Sequence, residues 1–150
     1  MKRICTTINI QASPKDVWDV LTDFEEYPHW NPVIYRISGK LQPGEILDME
    51  FKNRNYFKIN LKPLIMNIEV NREIRWKEQF WIKGFLEGEH LFRIEEMADG
   101  SVHFINCEKF SGILMPLFLY VIEKDMENSF NIMNEQLKKM CEKRNTHVDA

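Results

Sequence analysis

Apolar residues in this chain keep two different periods, and the switch between them leaves few folds available. From about residue 33 to residue 110 they recur at every second position, as in Leu47-Met49-Phe51 and Phe57-Ile59-Leu61. That is how strands with one buried face read. After Ser111-Gly112 the spacing lengthens: Leu119, Ile122, Met126, Phe130, Met133, Leu137 and Met140 follow at steps of three and four. These positions form one stripe of a helix, with Lys124, Glu127, Asn131, Glu135, Lys138 and Glu142 on the opposite face. At 1.5 Å per residue, a helix over roughly 116–143 is about 40 Å long. A strongly bent antiparallel sheet cannot cover its own inner face, and one long helix laid against that face solves the burial problem.

The N-terminal third fits the same plan. Ile4, Thr6, Ile8 and Ile10 alternate as a first strand. Ser13 is placed to cap a helix, with Pro14 at its first position and Asp16 near its positive end. Val17, Trp18, Val20, Leu21 and Phe24 supply its apolar face. A second short helix or turn spans 25–30 and closes at Asn31-Pro32, because a residue before proline avoids the helical region. Further on, Pro63 interrupts the strand begun at Phe57, so a bulge or an edge is expected there. Met66, Ile68 and Val70 resume on the other parity, and Ile74, Trp76 and Phe80 continue the sheet. The expected class is α+β: a seven-stranded curved antiparallel sheet around a long C-terminal helix, with two short helices after the first strand.

The last hairpin fixes a register. Leu86, Gly88, His90, Phe92 and Ile94 share one face, as do Val102, Phe104, Asn106, Glu108 and Phe110 on the next strand. A three-residue loop Ala98-Asp99-Gly100, with glycine in the left-handed position, pairs Met97 with Ser101. His90 then faces Glu108, and Phe92 faces Asn106. Their apolar neighbours put His90 and Glu108 on the inner face, where a carboxylate needs a partner and a histidine can be one. Such a pair could position the strands, fix a hydroxyl or carbonyl of a ligand, or act as acid and base near neutral pH. Glu78 shares the parity of Trp76 and Phe80 and could face inward too, although such a carboxylate is more often solvated at the sheet rim.

Trp18, Trp30 and Trp76 read first as packing anchors. The stretch 113–122 is apolar almost all round, which suits a buried helix start or a lip at a pocket mouth. As a lip it could meet a ligand, a membrane surface or a second copy of the chain.

Other classes are excluded or unsupported. A chain of 150 residues suits one domain, 1–150. Its net charge of −3, without a dominant basic cluster, points away from nucleic acid. Cys5, Cys107 and Cys141 are odd in number and widely spaced, which suggests neither a disulfide framework nor a zinc site but reduced thiols in a cytoplasm. The N-terminus carries no apolar run of a signal peptide, and the apolar run 113–122 contains Pro116 and is too short to cross a bilayer. His29, His90, His103 and His147 show no metal-ligand spacing. There is no phosphate loop and no nucleophile motif, so neither metal nor cofactor is expected.

Particular words recur at the joints of this plan. They are Ala12-Ser13-Pro14 with Val17-Trp18; Phe24 and then Tyr27 through Pro32; Glu73-Ile74-Arg75-Trp76; Gly88-Glu89-His90 with Phe92; and Glu108-x-Phe110-Ser111-Gly112 before Leu114 and Pro116. In their order and spacing the chain resembles the START-like, or SRPBCC, superfamily over about residues 3–142, and within it the polyketide cyclase/dehydrase and lipid transport branch. The resemblance implies a helix-grip fold with a hydrophobic cavity between sheet and helix. It implies binding or transport of a lipid, isoprenoid or aromatic metabolite, with an aromatic cyclase or dehydratase as the enzymatic alternative; the apolar 113–122 segment itself offers a third reading, an interaction module or homodimer. The candidate lining is His90, Glu108, Trp76, Phe92, Phe104 and Phe110 from the sheet, with Phe118, Ile122, Met126 and Phe130 from the helix. No catalytic residue is assigned, although His90 and Glu108 are the candidates for an enzyme.

Overall fold

Ser13 turns the chain from strand into helix. β1 (Lys2–Ile10) ends just before it and α1 (Pro14–Thr22) begins just after. The Ser13 hydroxyl accepts from the Asp16 backbone N–H at 3.2 Å, and the Asp16 carboxylate accepts from the Ser13 N–H at 3.3 Å. This reciprocal cap satisfies two amides that the first helical turn leaves over. A 3-10 turn at Phe24–Glu26 and the short α2 (Tyr27–Trp30) follow. Asn31 then redirects the chain: its Oδ1 accepts from the amides of Val33 and Ile34 at 3.0 and 2.9 Å.

This computed structural model describes residues 1–52, 58–80 and 84–148, with the side chains of 79–80, 118–119, 121–122 and 145–148 outside the described set. The remaining elements are β2 (Ile34–Ser38), β3 (Asp48–Lys52), β4 (Lys58–Leu61), β5 (Leu64–Glu69), β6 (Glu73–Phe80), β7 (Leu86–Glu96), β8 (Val102–Ser111) and α3 (Met115–Val148). They form a five-stranded antiparallel sheet in the order β1-β8-β7-β6-β5 and a three-stranded sheet in the order β2-β3-β4. The long helix and two short helices stand where the residue pattern puts them.

The expected seven strands are eight among the described residues, and Pro63 is the reason. Lacking an N–H, it cannot continue a ladder, so β4 ends before it and pairs with β3, while β5 begins after it and pairs with β6. The two sheets are joined at this corner by backbone bonds of 2.9 Å: Leu47 N to Pro63 O, Ile65 N to Glu45 O and Gly44 N to Ile65 O. A register shift between Ile65 and Asn67 then changes the facing. Ile65 is buried, whereas Met66 and Val70, expected on the inner face, are exposed.

The β7–β8 hairpin has the counted register. The Met97 amide donates to Ser101 O at 2.8 Å, Gly100 takes φ +82°, and His90 pairs with Glu108. After β8, Gly112 bends the chain toward α3 with φ +117°, and a Cβ there would lie 2.4 Å from the Phe85 carbonyl oxygen. Only glycine fits so close an approach of two backbones.

α3 lays Phe130, Met133, Leu137 and Cys141 against the five-stranded sheet and α1, all buried. A polar seam crosses this contact: Asn106 Nδ2 donates to Asn134 Oδ1 at 3.0 Å, and Asn134 Nδ2 donates to Thr6 Oγ1 at 2.9 Å. Buried amides in such a chain specify how the helix sits on β1 and β8, because a slipped helix would leave them unpaired.

The cysteines correct the expectation of reduced thiols. Cys5 and Cys107 lie directly opposite each other in β1 and β8 and form a disulfide, with Cα atoms 4.2 Å apart. Cys141 is the free, buried thiol. The disulfide removes the argument that led from reduced thiols to a cytoplasmic location. Among the described residues no helix is long and apolar enough to cross a membrane.

Candidate functional site

Strand parity brings a polar cluster onto the inner wall of the larger sheet. Trp76 and Glu78 point inward from β6, His90 from β7 and Glu108 from β8, and all four are buried. His90 Nδ1 and Glu108 Oε2 are 2.5 Å apart. Trp76 stacks on the imidazole with centroids 5.0 Å apart and planes 13° from parallel, while Phe92 and Phe130 meet it edge-on. The indole N–H of Trp76 donates to Glu78 Oε1 at 2.9 Å.

Above this floor lies a cavity of about 140 Å³. Met49, Phe51, Ile59 and Leu61 of the small sheet wall one side, joined by Val33 and Ile34; Asp125, Met126 and Ser129 of α3 close another. Ile59 and Asp125 are exposed, so the space reaches the surface between β4 and α3.

Of the residues named from sequence, Trp76, His90, Glu108, Phe110 and Met126 line this cavity. Phe92, Phe104 and Phe130 do not; they are buried behind it. Phe92 and Phe104 lie nearer the hairpin turn, where α3 sits directly on the sheet and packs Met133 and Leu137 against them. The side chains of Phe118 and Ile122 lie outside the described residues. Ile113, Leu117 and Tyr120 are exposed, which sets them apart from a buried helix start, and Leu117 is not part of the lining. Among the described residues, α3 contributes Asp125, Met126 and Ser129 to the lining.

Sequence reasoning raised Glu78 but favoured a solvated rim for it, and it missed the wall from β3 and β4. The parity Glu78 shares with Trp76 was the available signal, and the structure puts both inside.

Burial sets the protonation of this cluster. Removal from water raises the Glu78 carboxyl to about 8, and the neighbouring Glu108 adds to the rise. Burial also holds Glu108 well above the usual carboxylate range, with Glu89 contributing. It pushes His90 down to about 4, against the pull of Glu78. Burial favours the form of the His90–Glu108 pair that carries no net charge, with one proton shared between Glu108 Oε2 and His90 Nδ1. Whether the shared proton rests on Glu108 Oε2 or on His90 Nδ1, the other ring nitrogen keeps its hydrogen. His90 Nε2 is then a donor and Glu108 Oε1 an acceptor; both are buried and neither makes a hydrogen bond among the described residues, although the Asn106 side chain lies close enough to His90 to draw its pKa upward. Among the described residues no group of three His, Cys, Asp or Glu side chains could hold a metal ion.

Glu78 makes a prediction on stability. Its pKa is raised on folding, so its neutral form stabilises the native state fully below the unfolded value of 4.5, and that contribution is lost as pH rises to about 8. Glu78→Gln keeps the neutral shape at every pH. Its melting temperature should therefore gain on wild type between pH 5 and pH 9, as thermal melts at the two values will show. A gap that does not change with pH would mean that Glu78 is not held neutral.

The fold and its inner cavity define the helix-grip class. Residues 1–142 match the family described as polyketide cyclase/dehydrase and lipid transport, and the chain belongs to it. No curated protein matches the sequence. Solved structures share its fold at low identity. The ZhuI aromatase/cyclase from Streptomyces sp. R1128 is 11% identical with a TM-score of 0.77, over 95% of this chain and 94% of that one. The hypothetical protein jhp0584 from Helicobacter pylori is 15% identical with a TM-score of 0.75, over 92% and 86%. Protein NE0264 from Nitrosomonas europaea is 12% identical with a TM-score of 0.74, over 96% of each chain.

Proposed function

We propose that the protein binds a small, mainly apolar molecule bearing a polar oxygen, held between the sheets and α3 and not chemically altered. The observation that carries this reading is the cavity's division of labour: apolar walls over a floor that keeps one donor and one acceptor unpaired. A hydroxyl can accept from His90 Nε2 and donate to Glu108 Oε1, relieving two buried polar atoms at once. The volume limits the guest. A dry cavity of roughly 150 Å³ takes a benzene-sized molecule, so this one encloses one ring, with a second ring accommodated in the opening between β4 and α3, and is far smaller than a folded polyketide or a diacyl lipid. The family description includes lipid transport, which supports carriage of an apolar guest.

The second reading is cyclase or dehydratase chemistry. It is favoured by the short His90–Glu108 hydrogen bond, across which a proton could move to or from a ligand carbonyl.

Titration with 2-naphthol, followed by calorimetry and by the Trp76 indole N–H resonance, tests binding. Saturable binding is expected in wild type, and loss of at least about tenfold in Met126→Trp, which fills the cavity. Equal affinity in the two proteins would place any bound naphthol elsewhere and end the cavity reading. Cyclisation of a poly-β-keto thioester that disappears in His90→Ala would establish the enzymatic reading instead.

A further inference from the structure

We infer that the cavity selects a ligand carrying a protonated amine and rejects carboxylates and phosphates, because Glu78, Glu108 and Asp125 face it from β6, β8 and α3 while no lysine or arginine stands among its described lining residues. This inference rests on the binding reading above and names the charge class of the guest.

Glu78 carries the argument. A buried carboxyl with a purely structural role is expected to have a cation beside it. The same strand shows how this fold supplies one. Glu73, also buried, accepts from Arg75 at 3.0 Å and from Arg93 at 2.8 Å, and its carboxyl is lowered despite its burial. Five residues on, Glu78 has the neutral Trp76 indole as its hydrogen-bond donor and Glu108 and His90 as its charged or titratable neighbours. Across the ladder it faces Gly88, an inward position with no side chain to cover it. Among the described residues this carboxyl has no cation beside it in the cavity, unlike Glu73 with Arg75 and Arg93.

A protonated amine supplies that partner. It would meet Asp125 at the exposed rim and Glu78 inside, and it would draw Glu78 toward its ionised form. Phe51, Trp76 and Phe110 complete a lining that suits a cation better than aliphatic walls do. An anion finds no lysine or arginine among the described lining residues and meets Asp125 at the rim. The ligand oxygen and the amine are compatible on one molecule: the oxygen at His90 and Glu108, the amine toward Glu78.

Three probes that share a skeleton and differ in charge provide the test: 2-naphthylmethylamine, 2-naphthalenemethanol and 2-naphthoate, measured by calorimetry against the intact protein. At pH 7 the amine should bind at least about tenfold tighter than the alcohol and the carboxylate at least about tenfold weaker. Amine affinity should rise from pH 6 to pH 8. Heats measured in buffers of different ionisation enthalpy should show proton release on binding, as Glu78 gives up its proton beside His90, Glu108 and Asp125. In Glu78→Gln the amine should lose most of its advantage over the alcohol. A carboxylate that binds as well as the amine, or an advantage untouched in Glu78→Gln, overturns the inference and leaves the cavity reading standing. Binding of none of the three overturns the cavity reading itself.

Discussion

Replacing Phe104 by alanine is expected to cost about 3–5 kcal/mol of folding stability, the range for a fully buried phenylalanine. Phe104 has no exposed surface. It sits in the central ladder between Ile8 of β1 and Ile94 of β7, its ring 5.8 Å from that of Phe92, in the core cluster that includes Met133 and Leu137 of α3. The sheet on one side is paired along both edges of β8, and the helix on the other is held by the Asn106–Asn134–Thr6 seam. Neither can move in to fill the hole, so the void persists and its lining loses its contacts. For a domain with a typical stability of about 5–15 kcal/mol the loss is roughly a fifth or more of the total. Denaturant unfolding should show a lower midpoint with an unchanged slope. A loss under about 1 kcal/mol would contradict the close packing of helix on sheet at this point. Because Phe104 does not line the cavity, naphthol affinity of the folded fraction should stay at its wild-type value.

That contrast shows what could be read from the residues and what could not. The β7–β8 hairpin was legible because everything that fixes it is local: a three-residue loop, a glycine free to take positive φ, and a count outward from the turn that sets His90 against Glu108. The stripe of α3 and the Ser13 cap were legible for the same reason. Features that depend on which distant segment becomes the neighbour were not. Cys5 and Cys107 are 102 residues apart, and they meet only because β8 takes its place beside β1. Asn134 lies on the apolar stripe of α3, between Phe130 and Leu137, and its role is visible only once Thr6 and Asn106 are placed around it.

The candidate site divides along the same line. Its floor came from parity within the hairpin, so His90, Glu108 and Phe110 were in reach. Its opposite wall comes from Met49, Phe51, Ile59 and Leu61, on a sheet whose position over the first depends on the corner at 44–47 and 63–65. Pro63 announced a break in the ladder but not that the chain would change sheets there. Phe92 and Phe104 share the parity of His90, and inward facing alone does not separate cavity from core. What separates them is how closely α3 approaches the sheet along its length.

The His90–Glu108 pair gives the second large effect, with opposite signs in single and double variants. Glu108→Leu should lower stability by about 1–3 kcal/mol, the cost of leaving a buried polar group unpaired. The leucine nearly fills the volume, so the loss reports mainly the imidazole stripped of its partner among Trp76, Phe92 and Phe130. His90→Leu should cost a similar amount, because Glu108 then stays buried with neither a proton acceptor nor a cation. The double variant removes both polar groups and puts apolar surface against Trp76, Phe110 and Met126. It should match wild type or exceed it, since a buried polar pair is often less stabilising than well-packed hydrophobic residues. The favourable coupling between the two sites, read from four denaturation curves, should then be at least about 1 kcal/mol. Ligand binding should respond differently. The refolded double variant lacks the donor at Nε2 and the acceptor at Oε1, so naphthalenemethanol should bind at least about tenfold more weakly than to wild type, although the protein is no less stable. A double variant less stable than both singles would make the pair a device for holding β7 against β8. Stability restored with the alcohol's affinity lost would show that the pair is kept for the guest.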